Sequence, residues 1–529
     1  MNKEYPFYEH IKINNLLELI ELKKDDDIAF SYKENDKIIK KSYKDFYNEA
    51  ILLSNYFYNK YNNKHIALIG NNTYNWILTY FGIVLSGNVA VPIDKDYDLD
   101  LITKLCKNSD VKDIYYSYDY NSSYEELKFN LNKLEDVNKY LDEGKKYSNK
   151  YRIDNDKLCT IFFTSGTTGA NKGVMLSQKN IACNIYQASS IFKPDIGSTV
   201  SVLPYHHAFG LITAVFKPFY YGMEIYINYS LKYIMEDLKE IKPTTLFVVP
   251  TFIEMFYKQI WKTARRSKKD KTLSKLIKIS NLLLKVKIDI RKKLFKSITD
   301  SFGGNLSYII CGGAYLDQKY IDWFYSIGIN ILNGYGFTEA APVLGVNRNN
   351  FRKRGSVGHI VKDLEVKIVS NEICVKGDNI MLGYYKDNKA SKEVLKDNWF
   401  YTGDLGYVDE DNFLYITGRK KNIIILSNGE NVSPEVIEEE LSHDEAVCEV
   451  VVYSMNNQLI AEVYPEDGYL GDQEYFDNLI HNYNLDKPKN RQIALVKLRN
   501  EEFIKNNNRK ILRDKIGGEW YGRKSNKYY

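Results

Sequence analysis

The chain runs to 529 residues, 44% of them hydrophobic, with a formal net charge of +5 at pH 7. That length exceeds what one core organises, and that apolar content excludes a disordered chain. The six cysteines, at 106, 159, 183, 311, 374 and 448, form no C-x-x-C pair, which excludes a disulfide framework and a cysteine zinc site.

In chain order the predicted elements alternate between helix and strand. Residues 43–62 carry apolar groups at helical spacing, His65–Gly70 is a short apolar run, and Trp76–Ser86 reads as a second helix. Strand-like runs follow at Val89–Ile93, Val111–Tyr116, Ser201–Pro204, Leu246–Pro250, Leu306–Ile310 and Gly328–Leu332. Strands separated by helices imply βαβ units and a largely parallel sheet. From about Gly355 the pattern shortens to alternating strands at Glu365–Val369, Glu372–Gly377 and Asn412–Thr417. After Gly418-Arg-Lys-Lys-Asn422 a compact α+β tail begins. The expected fold class is α/β. A large N-terminal domain over 1–419 holds parallel-rich sheets with flanking helices and a β-rich subdomain; a small α+β domain occupies 420–529.

The start, Met1-Asn-Lys-Glu-Tyr-Pro6, lacks an apolar signal region, and no uncharged apolar run is long enough to span a bilayer. The expected setting is therefore reducing and cytoplasmic. Charge is distributed unevenly. Between Lys262 and Lys296 stand 14 Lys/Arg and two Asp, a local +12 that leaves −7 for the rest of the chain. Apolar residues such as Leu273, Leu276, Ile277, Leu282, Leu294 and Phe295 recur through the same segment near helical spacing. Two readings stay open: a basic amphipathic helix on the inner face of an anionic membrane, or a solvated helix with its apolar face on the core. No base-reading module accompanies the charge, so nucleic acid is not an expected partner.

Chemistry concentrates first in Thr160-Ile-Phe-Phe-Thr-Ser-Gly-Thr-Thr-Gly-Ala-Asn-Lys-Gly-Val174. An apolar strand empties into a loop of hydroxyls (Thr164, Ser165, Thr167, Thr168), glycines (Gly166, Gly169) and Lys172. Glycines let backbone N–H groups turn toward an anion, and hydroxyls and a lysine add donors, a combination that suits a polyphosphate. The spacing is neither a Walker A loop nor a dinucleotide fingerprint. Downstream, Asn333-Gly-Tyr-Gly-Phe-Thr-Glu339 sets Gly334 and Gly336 beside Tyr335, a ring that can stack on a base, and then supplies Thr338 and Glu339. A carboxylate beside a phosphate site calls for a cation, which makes Glu339 a natural Mg²⁺ ligand. Trp399-Phe-Tyr-Thr-Gly-Asp-Leu-Gly406 supplies Asp404, an acceptor for two ribose hydroxyls, and Arg419 supplies a donor to the same sugar or a phosphate.

These motifs, in this order, resemble those of the acyl-adenylate-forming superfamily, most closely its long-chain fatty acyl-CoA synthetases. The resemblance extends from about residue 10 to 515 and includes Thr164–Gly169 with Lys172, Gly334–Glu339, Tyr401–Asp404, Gly418-Arg419, Ser427–Pro434 and Arg509–Arg513. Two departures stand out: Asn171 where the family usually has proline before the lysine, and Arg509 where it usually has glycine. The resemblance implies ATP, Mg²⁺ and coenzyme A as reactants. Nucleotide contacts would come from the loop, from Gly313, Ala314, Asn333–Gly336 and Thr338, and from Asp404 and Arg419. It also implies a mobile C-terminal domain hinged at Lys421. Lys510 would then serve adenylation, and the loop with Ser427 and Gly429 would face a thiol channel.

The resemblance also bears on the acid. Leu203-Pro-Tyr-His-His-Ala-Phe-Gly210 matches a family motif in which acyl-CoA synthetases carry a histidine, here His207, while His206 reads as a second, surface imidazole. The aspartate that amino-acid-activating relatives use is absent there. The basic insertion and Asp378–Tyr385 resemble those of enzymes for fatty acids of medium to long chain. Three functions remain open on sequence: a fatty acyl-CoA synthetase, an enzyme loading an acyl carrier protein, and a catalytically silent acyl/nucleotide-binding protein.

Overall fold

A computed structural model describes residues 5–117, 122–165, 171–349, 351–426, 431–505 and 511–516. The chain divides into two compact units, one of residues 1–365 with 376–400 and one of residues 366–375 with 401–529. The architecture is the mixed, parallel-rich α/β fold the sequence predicts.

The first unit is built on three sheets. One runs, edge to edge, Gly383–Tyr384, Asn171–Ser177, Leu158–Ser165, Val89–Ile93, His65–Ile69, Asp113–Tyr116 and Asn130–Lys133. From Leu158–Ser165 to the far edge the neighbours pair in parallel. Such strands need crossovers, and helices supply several of them. Tyr74–Leu85 is nearly all apolar and buries eleven of its twelve residues. Tyr43–Lys60 is amphipathic and opens on a capping box at Ser42. A second sheet sets Thr245–Val248, Tyr308–Cys311 and Asn330–Gly336 in parallel, then turns back through Val343–Val346 and Gly358–Ile360. Ile28–Glu34, Lys37–Ser42, Ser198–Ser201 and Glu224–Ile227 form a third, four-stranded sheet.

One predicted strand moves. Residues 201–204 read as a strand, but the strand ends at Ser201, and the Leu203 carbonyl accepts from Asn72 Nδ2 at 2.8 Å instead of a ladder partner. Pro204 has no N–H to continue a ladder.

The second unit holds the Trp399–Val408/Phe413–Arg419 hairpin from Tyr401 onward, and a three-stranded sheet of Val447–Met455, Gln458–Pro465 and Ile493–Leu498. The helices Pro434–Leu441 and Gln473–Leu485 bury Ile437, Leu441, Phe476 and Ile480 in the core of that unit.

One polar residue ties the first sheet to a neighbouring segment. Asn180, in the capping box of helix Gln178–Ser189, accepts from the Ser177 N–H at 2.8 Å. Its Nδ2 donates to the carbonyls of Asp378 at 2.7 Å and Ile380 at 2.9 Å. Asn180→Ala removes the side-chain half of the capping box, leaving the Ser177 cap itself, and strips both carbonyls of a donor. The expected cost is about 2–4 kcal/mol, read as a lower urea midpoint for the first unit. An unchanged midpoint would show that these bonds hold nothing together.

Candidate active site

The hydroxyl- and glycine-rich loop is the connection of an antiparallel hairpin. Thr164 lies opposite Lys172, Phe163 opposite Gly173 and Phe162 opposite Val174. The pairing sets Lys172 and Thr164 on one rung at the mouth of the loop. Gly166, Thr167, Thr168 and Gly169 lie outside the described residues, as do Ser427, Gly429 and Lys510; of Ser165 only the backbone is described.

Next to this hairpin stands a residue that the sequence reading passed over. Gly383–Tyr384 runs antiparallel to Asn171–Ser177, with Tyr384 opposite Val174. The Tyr385 N–H donates to the Gly173 carbonyl at 2.8 Å, and the Leu382 N–H to the Met175 carbonyl at 2.9 Å. The Lys172 ammonium lies 4.7 Å from the centroid of the Tyr384 ring. The Tyr384 hydroxyl donates to Glu339 Oε1 at 2.8 Å. One side chain therefore joins the lysine of the loop to the carboxylate of the downstream motif. Burial, reinforced by the Glu339 charge, pushes the phenol well above its ordinary range, so it remains a donor at neutral pH. A hydrogen bond to a charged acceptor contributes about 1.5–3 kcal/mol, and the cation over the ring about 0.5–2 kcal/mol. The sequence signal was the Gly383-Tyr-Tyr385 run, whose role depends on the strand register.

Glu339 and Thr338 sit in a tight turn, Thr338–Ala340, just after the strand Asn330–Gly336. The Glu339 carbonyl accepts from the Met381 N–H at 2.8 Å. Gly336 is obligatory here, because a Cβ would run into the Pro342 carbonyl. Tyr335 and Phe337 meet edge to face at 5.9 Å. Asn333 Oδ1 is buried without a hydrogen-bond partner among the described residues. Gly313 and Ala314 are exposed just past the strand Tyr308–Cys311, whose last residue lies opposite Asn333. Among the described residues no group of three or more His, Cys, Asp or Glu converges. Glu339 offers a carboxylate, and one carboxylate plus phosphate oxygens and water is a donor set that fits Mg²⁺.

One of the two histidines, His206, differs from the sequence expectation. His206 is not a surface imidazole: its side chain is 11% exposed, with Nε2 3.5 Å from Asp94 Oδ2 and its ring 4.3 Å from that of His207. Burial first, then His207 and Lys95, lower its pKa well below the ordinary value. At that distance Asp94 is a neighbour rather than a salt-bridge partner, because burial keeps the imidazole neutral. The Asp94 carboxyl is raised, also by burial. After His207 the chain enters the π-helical segment Phe209–Phe216, a rare geometry frequent at functional sites. Gly210 permits this start, since a Cβ there would strike the Pro204 carbonyl.

In the second unit, Asp404 and Arg419 face each other across the hairpin, with Arg419 Nε 2.6 Å from Asp404 Oδ1. The sequence reading gave Asp404 to a sugar and Arg419 to the same sugar or a phosphate; here the two hold each other. The Asp404 side chain is 3% exposed and that of Arg419 42%. Glu372 braces the turn, accepting from the Gly403 N–H at 3.0 Å and from Lys420 Nζ at 2.7 Å. Lys421 lies in the single turn Lys420–Asn422 that follows the strand.

The family model described as AMP-binding enzyme matches residues 21–385. The chain is 27% identical over 423 residues to the long-chain-fatty-acid–CoA ligase FadD15 of Mycobacterium bovis, spanning 73% of this chain and 70% of that protein. It is 29% identical over 385 residues to the long-chain-fatty-acid–[acyl-carrier-protein] ligase AEE15 of Arabidopsis thaliana, spanning 61% and 52%. Among solved structures, o-succinylbenzoate coenzyme A synthetase of Bacillus subtilis, in complex with ATP and magnesium ion, shares the fold. Its TM-score is 0.73 over 95% of this chain and 98% of that one, at 19% identity. The chain spans about half the length of most of the curated relatives it matches.

The buried imidazole has a measurable consequence. A folded pKa below the unfolded one means that the unfolded chain takes the proton first, so stability falls as pH drops below about 6.5. His10 and His65 are lowered by burial too, so His206 accounts for part of the loss. Thermal midpoints followed from about pH 8 to about pH 5 should decline, and His206→Phe should flatten the slope. Parallel profiles for the two proteins would assign the whole loss elsewhere.

Proposed function

This chain belongs to the AMP-binding enzyme family, and on that premise we propose that it activates a carboxylic acid with ATP and transfers the acyl group to a thiol. A carboxylate oxygen attacks the α-phosphorus of ATP, the bond to the β-phosphate oxygen breaks, and pyrophosphate leaves. A thiolate sulfur then attacks the acyl carbon, and AMP departs with the electron pair of the broken C–O bond. No side-chain nucleophile is needed; the work is positioning and charge stabilisation.

The observation that carries this reading is the triplet Lys172–Tyr384–Glu339 beside the loop. A cation and a carboxylate held by one tyrosine suit a metal-bound polyphosphate. Mg²⁺ on Glu339, when bound, neutralises phosphate charge. Thr164, Ser165, Thr167 and Thr168 donate to phosphate oxygens through side chains or backbone. Thr338, Gly313 and Ala314 line the nucleotide, Tyr335 stacks on the base, and Asn333 Oδ1 accepts from its exocyclic amine. Asp404 takes the ribose hydroxyls once Arg419 releases it. Lys510 stabilises the oxygen bridging acyl carbon and phosphorus, His207 borders the carboxylate, and Lys421, Ser427 and Gly429 belong to the hinge and thiol path.

The acid in this proposal is a fatty acid of medium or long chain, and the acceptor is coenzyme A. The names of the relatives support the acid and leave the acceptor between coenzyme A and a carrier protein. Acid-dependent ATP–pyrophosphate exchange across aliphatic acids of graded length, aryl acids and amino acids tests it, followed by AMP release with coenzyme A or carrier protein. Exchange should peak with aliphatic acids and AMP release should need coenzyme A. Turnover with carrier protein alone would reassign the acceptor. ATP binding without exchange for any acid would reject an enzyme in favour of a silent binder.

A second measurement addresses the triplet. Tyr384→Phe keeps the ring under Lys172 and deletes the donor to Glu339. The expected result is roughly ten-fold slower exchange and a higher half-saturating Mg²⁺ concentration, together with a modestly lower thermal midpoint. Equal loss at all Mg²⁺ concentrations would place the role of Tyr384 elsewhere.

A further inference from the structure

Residues 5–13 form neither helix nor strand, yet they are tied down at several points. The Tyr8 N–H donates to the Ser190 carbonyl at 2.7 Å, and the Tyr220 hydroxyl donates to the Ile11 carbonyl at 2.5 Å. Phe7 packs against the core cluster that contains Val343 and Val346. Arg348 takes the two carbonyls ahead of it: Nη1 donates to that of Tyr5 at 2.7 Å and Nη2 to that of Pro6. Pro6 keeps the residue before it extended, so these carbonyls have no helical partner and are left for the guanidinium fork. Arg348 is 2% exposed, and its guanidinium carbon lies 5.8, 5.6 and 5.8 Å from the ring centroids of Phe7, Tyr8 and Phe351. Among the described residues no carboxylate pairs with it. A buried cation without an acid is costly, so the two carbonyls and the rings are what make its burial tolerable.

Arg348 also stands one residue past a contact with the candidate site. The strand Val343–Val346 runs antiparallel to Asn330–Gly336, with Val346 opposite Gly334. The Asn347 N–H then donates to the Asn333 carbonyl at 2.9 Å, while Asn347 Nδ2 donates to the Ser356 carbonyl at 3.1 Å. Asn333 Oδ1 is buried without a hydrogen-bond partner among the described residues, so its aim is set by the backbone that carries it. We propose that Arg348 is a positioning residue for nucleotide recognition. By clasping residues 5 and 6 it fixes Asn347, and through Asn347 it fixes the Asn333 side chain that meets the adenine amine. The inference rests on the adenine reading of Asn333 and adds the residues that enforce it. Its competitor is plain packing, in which the segment and Arg348 only stabilise the fold.

The test compares ATP with inosine triphosphate in pyrophosphate exchange, since inosine carries a carbonyl where adenine carries the amine. A site built around a hydrogen-bond acceptor rejects the analogue that lacks the donor, so the parent should prefer ATP in kcat/KM by about ten-fold or more. Arg348→Met, and separately a chain lacking residues 1–8, should each cut that preference about five-fold, through a raised KM for ATP with the KM for the acid unchanged. Arg348→Lys keeps the charge without the fork and should fall between; with the truncation it decides the matter if Arg348→Met does not fold. Combining Arg348→Met with the truncation should lose no more preference than the worse single change, because both remove one contact. Variants that slow exchange equally with both nucleotides would overturn the proposal and leave the adenine reading of Asn333 standing. Losses that simply add would overturn the link between Arg348 and the segment. A parent that does not prefer ATP would refute the reading of Asn333 itself, and the proposal with it.

Discussion

Two backbone hydrogen bonds hold the candidate site together: Tyr385 N–H to the Gly173 carbonyl and Leu382 N–H to the Met175 carbonyl. They add a short edge strand to the hairpin that carries the hydroxyl-rich loop. A strand presents alternate side chains to opposite faces, so the register of this one strand decides whether Tyr384 or its neighbour meets Glu339. Asn180 braces the same segment from below through the carbonyls of Asp378 and Ile380. Lys172 and Glu339, 167 residues apart in sequence, become members of one cluster through this edge.

Electrostatics inside the cluster follow from burial. A tyrosine this buried cannot ionise beside a carboxylate, so it donates to Glu339. The same constraint acts differently on His206. With no close acceptor of good geometry, burial keeps the ring neutral and makes it a packed wall against His207 rather than a charged group. In the second unit the pairing of Asp404 with Arg419 satisfies a nearly buried carboxylate, which would otherwise be costly to hold charged.

The basic segment shows how one amphipathic pattern serves two environments. Its apolar residues are too many for one helical stripe, and the core takes those that point inward. Composition left two readings open, membrane or core. The structure assigns Leu273, Leu276, Ile277, Leu294 and Phe295 to the core and leaves Leu282 and Ile288 outside.

The sequence alone determined the alternation of helix and strand, the loop of donors, the downstream carboxylate and the order of motifs. These are local properties: periodicity, turn chemistry and residue type at short spacing. Strands at Val89–Ile93 and helices at 43–60 and 74–85 lie within a few residues of where periodicity put them. Only the tertiary structure decided that Tyr384 bridges Lys172 to Glu339, that Asp404 and Arg419 grip each other, and that His206 is buried against Asp94. Each of those facts depends on strand register or on which of several crossovers lies on a given face. Contacts between residues far apart in sequence set both, and no short window of sequence contains them.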